Sequence, residues 1–296
     1  MDYFFFIDLV QGLADGVLFG TTYALIGIGF TLIFGVMHKL NLAYGAASIG
    51  GAYVSLIAFL GLGWPPIPTF AISAVGAGVI GYVVYFCCFK FTPVRHPLAA
   101  LMASVGMLLF IDEVIVHESD GMPQPYPSVM DHAEITLGEI WIRGDLIFVF
   151  LMSVVSMGVL LWLLYRTRLG VATRAVSQEA TAARLCGINP DRINASTFVI
   201  TGVLGGVAGA MIGAAVGVLS PLLAVPVTVK GLIVAVIGGL GSIPGAIIAG
   251  LMVGAAENIF LVMRGITERD IYVMLLLFVF LVLRPGGLFR SASSQH

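Results

Sequence analysis

Charge is what this sequence has least of: Lys and Arg number 14 and Asp and Glu 16 among 296 residues, 10% in all. Soluble globular domains carry roughly 25%. With hydrophobic residues at 59% and a mean hydropathy of +1.05, the chain has too little polar surface to cover itself in water. A net charge of −2 provides no long-range positive field to recruit nucleic acid. Cysteine is scarce too. Cys87, Cys88 and Cys186 form no C-x-x-C, and no histidine stands at ligand spacing, so neither a disulfide framework nor a metal site is indicated. The phosphate loop G-x-x-x-x-G-K-[ST] is missing, so no cofactor or nucleotide is expected on this chain itself. HESD at 117–120 is not H-E-x-x-H, and neither Gly-x-Ser-x-Gly nor Gly-x-Gly-Asp occurs, which argues against an intramembrane enzyme and leaves no catalytic residues to name. The opening MDYFFFIDLVQG lacks a basic n-region and a small-residue cleavage site, and does not read as a removable signal peptide.

What is present is apolar sequence in windows of about 20 residues, enough for a helix to cross ~30 Å of hydrocarbon. The expected fold is all-α, a single polytopic integral membrane domain over residues 1–296 with about eight or nine transmembrane helices. Spans read at 13–36, 43–62, 69–89, 97–117, 146–165, 195–218, 228–241, 243–263 and 271–284. The run 228–241 is short for a crossing, so a broken or re-entrant segment is expected near 226–245. Residues 3–10 read as a separate interfacial helix.

Short cytoplasmic loops are enriched in Lys and Arg. Lys39, Lys90, Arg95, Arg166, Arg168, Arg174, Arg184, Arg192, Arg284 and Arg290 fall on one side, ten of the fourteen basic residues. Arg143, Lys230, Arg264 and Arg269 fall elsewhere. This puts the segment 166–194 and the C-terminus in the cytoplasm, and the N-terminus outside. The largest outer loop is 118–145. It carries Glu118, Asp120, Asp131, Glu134, Glu139 and Asp145 against Arg143, and its AEITLGEIWI alternates around Leu-Gly as a small hairpin would. Such a loop either merely joins two helices or offers a docking surface outside the membrane.

Glycine clusters. TGVLGGVAGAMIGAAVG (201–217) spaces small residues by four, which close helix packing accounts for. GGLGSIPGAIIAG (238–250) is different: Gly239 and Gly241 interrupt the run, and Pro244 fits a first helical turn. A helix break is expected there, a recurrent device of transporters.

The polar stretch RAVSQEATAARLCGINPDR (174–192) is the chain's outlier. Ser177 reads as an N-cap and Gly187 as a left-handed C′ residue, with Pro190 forbidding continuation. The helix between them, 178–186, is too short to be stable alone and must pack on something. Its Ala180, Ala183 and Cys186 read as a small-residue face, with Glu179 and Arg184 elsewhere on its surface.

TAARLCGI resembles the cytoplasmic coupling motif of ATP-binding-cassette importer permeases, Glu-Ala-Ala, three residues, Gly. Ala182, Ala183 and Gly187 match it, and Thr181 stands where the motif has Glu. The whole of RTRLGVATRAVSQEATAARLCGIN resembles the branched-chain amino acid permease family. So do YALIGIGFTLIFGV (23–36), LNLAYGAASIGGAY (40–53), VIGGLGSIPGAIIAG (236–250) and LRPGGLF (283–289). The family's Ile-Asn-Phe-Ala-His-Gly is here Leu40-Asn41-Leu42-Ala43-Tyr44-Gly45.

The resemblance implies a permease subunit in a bacterial inner membrane. It implies pairing with a second related permease or a copy of itself, two cytoplasmic ATPase subunits holding ATP and Mg, and a periplasmic solute-binding protein. Ser177, Glu179, Thr181, Ala182, Ala183, Arg184 and Gly187 are then the expected ATPase-coupling residues. Relatives in the family carry amino acids, urea, short amides or aromatic carboxylates, so the motifs do not select a substrate. The alternative is a secondary transporter or channel acting alone, which would need buried ionisable groups for coupling ions. Asp112, Glu113 and Glu257 are the candidates for these. Polar residues that would line a path are Thr21, Thr22, Tyr23, Asn41, Tyr44, Ser48, Ser104, Glu257 and Asn258. No charge is expected to sit mid-membrane as an anchor for an amino or carboxylate group.

Overall fold

A computed structural model describes residues 2–63, 65–92, 97–130, 134–137, 140–284 and 287–289. Among these, eight helices are long and apolar enough to cross a membrane. They are α1 (Asp2–Met37), α2 (Ala43–Leu62), α3 (Pro66–Val84, wound on as a π turn over Tyr85–Phe89), α4 (Pro97–Glu118), α5 (Gly144–Arg166), α8 (Pro190–Val216), α9 (Ala224–Gly238, long enough only together with the 3-10 turn Pro221–Leu223 before it) and α10 (Ile243–Arg264). Between α5 and α8 run two polar helices, α6 (Arg168–Gln178) and α7 (Ala180–Leu185). A further helix, α11 (Ile266–Leu283), carries a shorter apolar run. Four short strands lie among the described residues: β1 (Gln124–Pro125), β2 (Glu134–Leu137), β3 (Ile140–Arg143) and β4 (Val218–Leu219).

The helix ends follow the local chemistry. Asn189 accepts from the amides of Asp191 and Arg192, with Pro190 in the first turn of α8, and Gly217 closes that helix at φ 76°. Ser242 accepts from the Gly245 amide and Pro244 lies in the first turn of α10, while Gly239 and Gly241 take φ 95° and 94°. The expected break is therefore a tight turn between two antiparallel helices, confined to residues 239–242. There is no separate interfacial helix at 3–10. Those residues extend α1, because nothing between Phe6 and Leu13 interrupts helical bonding.

The most extensive interface joins α1 to α10. It is built on glycine at four-residue spacing. A Cβ at Gly20 would stand 2.8 Å from the Gly250 carbonyl oxygen, and one at Gly16 2.9 Å from the Ala255 Cα. Backbones approach this closely only without side chains. Gly202 and Gly206 of α8 meet Ala77 and Ser73 of α3 in the same manner, with Ser73 donating to the Gly206 carbonyl at 2.7 Å.

The two span-joining segments that carry β1 and β4 are tied together. β1 pairs antiparallel with β4, Gln124 opposite Leu219, a contact between the 118–145 loop and the α8–α9 crossover. Tyr126 adds a backbone bond to Gly217 and a side-chain bond to Ser55. Burial pushes the Tyr126 phenol above its usual range. β2 and β3 pair antiparallel as the hairpin expected of AEITLGEIWI; residues 138–139 and Asp131 lie outside the described residues. Gln11 of α1 grips that hairpin's edge, accepting from the Trp141 amide at 2.9 Å and donating to the Trp141 carbonyl. The start of α1 thus lies beside this loop, and its far end beside the α9–α10 turn, where Gly35 meets Gly241.

Candidate functional site

The polar segment departs from its expected outline in three ways. It is two helices at a corner, α6 ending at Gln178 and α7 starting at Ala180. The cap between them is Glu179, extended at φ −157° and accepting from the Thr181 amide at 3.2 Å. Ser177 is not the cap. It is still helical and donates to the Arg174 carbonyl at 2.8 Å, so its oxygen points away from α7. Ala183 faces inward at 4% exposure, while Ala180, Thr181, Ala182, Arg184, Leu185 and Cys186 are exposed. The expected face of Ala180, Ala183 and Cys186 is therefore split between core and solvent. The outward apolar feature is Leu185, at 88% the most exposed large hydrophobic residue described.

Gly187 does stand in the left-handed region, at φ 81°. The Ile188 amide bonds to the Ala183 carbonyl and the Gly187 amide to the Arg184 carbonyl, which together make a Schellman ending. The corner is also held from behind. Thr167 caps α6 by accepting from the Gly170 amide, and Arg174 reaches back to the Leu164 carbonyl at 2.6 Å while lying over the Tyr165 ring. A cation at the last turn of α5 suits that helix's negative end. α6 and α7 form a capped corner whose second helix is mostly exposed. Arg95 and Arg290, counted on this side of the membrane, lie outside the described residues.

Most of the polar residues read as a path are engaged in hydrogen bonds to nearby main chain. Asn41, just ahead of α2, accepts from the Ala43 amide, and Ser104 of α4 accepts from the Leu42 amide beside it. Tyr44 passes between Gly29 and Gly205, edge-on to Phe30, and Ser48 donates to the Tyr44 carbonyl. Thr21 and Thr22 donate to carbonyls one turn earlier in α1, and Asn258 to the Gly254 carbonyl.

Tyr23 and Glu257 belong to a different cluster, whose third member was not anticipated. Lys230 of α9, within the run read as 228–241, lies buried in the bundle, its Nζ 2.7 Å from the Glu257 carboxylate of α10 and 3.4 Å from the Tyr23 hydroxyl of α1. Exposures are 8%, 2% and 5% for Lys230, Glu257 and Tyr23. A charged pair therefore does sit within the membrane-spanning bundle, contrary to expectation. The available signal was a lone lysine in the apolar run AVPVTVKGLIVAVIG.

An α-helical bundle of this kind, with a capped polar corner between two spans, is that of a transport permease. Residues 12–283 match the family described as "Branched-chain amino acid transport system / permease component". The chain belongs to it, as a permease subunit of the branched-chain amino acid type of ABC importer. It is 32% identical over 298 residues to the high-affinity branched-chain amino acid transport system permease protein LivH of Escherichia coli, covering 96% of each chain. It is 31% identical to the corresponding protein BraD of Pseudomonas aeruginosa, with 94% of this chain and 95% of that one covered. The fold is also similar to PsaBC from Streptococcus pneumoniae solved in complex with Fab. There the TM-score is 0.52 at 14% identity, over 93% of this chain and 90% of that one.

Proposed function

We propose that the transported solute is a branched-chain amino acid or a related small solute bearing amide or carboxylate groups. The substrate named for LivH and BraD, each matched over nearly its whole length, supports this. In the proposed assembly the chain pairs with a second, homologous permease or with a second copy of itself. Two cytoplasmic ATPase subunits bind ATP and Mg, and a periplasmic protein delivers the solute. The membrane is the bacterial inner membrane, with 166–194 in the cytoplasm and 118–145 outside.

The carrying observation is the α6–α7 corner. It is capped at both ends, held to α5 by Arg174, and presents Leu185 to solvent, as a docking element requires. Closure of the ATPase pair pushes on this corner and rocks the spans, opening them alternately to either side. Glu179, Thr181, Ala182, Arg184 and Gly187 form or shape the contact, Ala183 seats it from within, and Ser177 lies just before it.

The test is reconstitution of the full importer in liposomes with radiolabelled leucine as probe. Uptake is expected only with ATP, both ATPase subunits and the binding protein. Uptake by the permease pair alone would favour the stand-alone transporter, and absence of leucine uptake by an importer that hydrolyses ATP on addition of its binding protein would remove the substrate assignment.

A further inference from the structure

We infer that Lys230, Glu257 and Tyr23 are positioning residues, a buried electrostatic tie that fixes the short helix α9 to α1 and α10 during transport. This rests on the importer reading only for its uptake arm. α9 has 15 residues, roughly 22 Å of helix against a ~30 Å hydrocarbon core. Tyr53, two and a half turns before the end of α2, donates to the Leu219 carbonyl at 3.0 Å, which ties the approach to α9, ahead of the 3-10 turn Pro221–Leu223, to the side of α2.

The two ends of α9 answer to different neighbours. Its last turn is held by the C-terminal segment, Leu288 donating to the Ile237 carbonyl at 2.8 Å, and by Gly238 against Gly245 of α10. Its first turn follows the β1–β4 bridge, which connects it to the 118–145 loop. Between them, Lys230 is its single charge, and it is spent on α10 and α1. A buried ion pair contributes little net stability against an apolar pair of equal volume, yet breaking one partner is costly. Retaining one is therefore better explained by geometry than by stability. The pair assigns the middle of α9 to the α1–α10 body, so that movement of the outer loop is resisted at mid-membrane.

Two readouts on the assembled importer in nanodiscs or liposomes test this, with E257Q, K230M, the apolar pair K230M/E257L and the swap K230E/E257K. Amide exchange over residues 224–238 needs no substrate. It is expected to rise in E257Q and K230M and to fall back in the swap. With leucine as probe, E257Q is expected to lose about ten-fold in maximal uptake with KM changed less than about two-fold, while ATP hydrolysis continues. K230M/E257L is expected to insert normally yet transport more slowly than the swap. Unchanged exchange in E257Q, or wild-type uptake by K230M/E257L, overturns the tie. A large rise in KM that the swap does not repair overturns it in favour of direct solute contact. Wild-type importer that shows no leucine uptake while the exchange pattern holds removes the substrate reading and leaves the tie standing.

Discussion

Glycine serves opposite ends in two regions of this molecule. Between α1 and α10 the glycines have ordinary helical backbones and no room: Gly16, Gly20, Gly250 and Gly254 are needed because a neighbouring backbone occupies the place of a side chain. At the end of α7, Gly187 has open space around it and an unusual backbone, φ 81°. One region needs glycine for its missing volume, the other for its freedom to turn left-handed. The first is a matter of whether the bundle assembles, and the second of how a surface is presented.

The largest effect should follow from filling the crowded region. A Cβ at Gly254 would stand 2.5 Å from the Gly16 carbonyl oxygen and 2.8 Å from the Gly20 amide nitrogen. Both are main-chain atoms that cannot rotate away. Gly254→Leu should cost about 3 kcal/mol or more, at the upper end of overpacking penalties. The measurement is the yield and thermal stability of the purified subunit. Normal amounts of an equally stable protein would show that α1 and α10 can separate without loss.

Next in size is a change that leaves the bundle alone. Leu185 is exposed and its removal uncovers nothing. Leu185→Ser should leave subunit stability within about 0.5 kcal/mol. Association with the ATPase subunit should weaken by about 1–3 kcal/mol if the leucine fills a pocket there. Co-purification at rising detergent and salt measures it, and undiminished association would take Leu185 out of the interface.

How much of this was legible beforehand differs by region for physical reasons. The spans were readable because hydrocarbon demands long apolar runs, and the 239–242 break because Gly and Pro state their backbone needs locally. The Lys230–Glu257 pair was not, since its partners come from different helices and leave no periodic mark. Nor was the direction of Ala183, because with exposed positions all around a six-residue helix no apolar stripe tells inward from outward. The α1–α10 contact was hidden for a related reason: Gly12, Gly16 and Gly20 advertise close packing but not against which helix. The resemblance to the permease family, by contrast, rested on contiguous motifs and is confirmed by the match over 12–283.

Gly187→Val comes third. No atom lies within 4 Å of a Cβ there, so the penalty is backbone strain alone, about 1–2 kcal/mol. The Schellman bonds to Ala183 and Arg184 would be lost and α7 would fray or tilt. The subunit is expected to insert in normal amounts, bind its ATPase poorly and lose ATP-driven uptake. Val171→Ile, on the exposed side of α6, is the control that should change neither. Full uptake by Gly187→Val would remove α7 from the coupling pathway.

The smallest effect separates two adjacent oxygens. By residue preference Ser177 is the better N-cap, yet in the structure its hydroxyl donates backwards to Arg174 and leaves the α7 amides unserved. Glu179 caps instead, because only it leaves the helical region at the corner, at φ −157°, and aims its carboxylate at the Thr181 amide. Its charge also suits the positive end of α7. Glu179→Ala should therefore cost about 1 kcal/mol locally, as loss of a cap does. Ser177→Ala should cost less than about 0.5 kcal/mol, since it removes one i−3 side-chain bond that competes with the helix's own. Amide exchange at Thr181 and Ala182 reads the difference, faster in Glu179→Ala and unchanged in Ser177→Ala. The reverse order would mean that α6 ends at Ser177 in the working protein and that α7 begins two residues earlier, about half a turn, on a docking face rotated from the one that now carries Leu185.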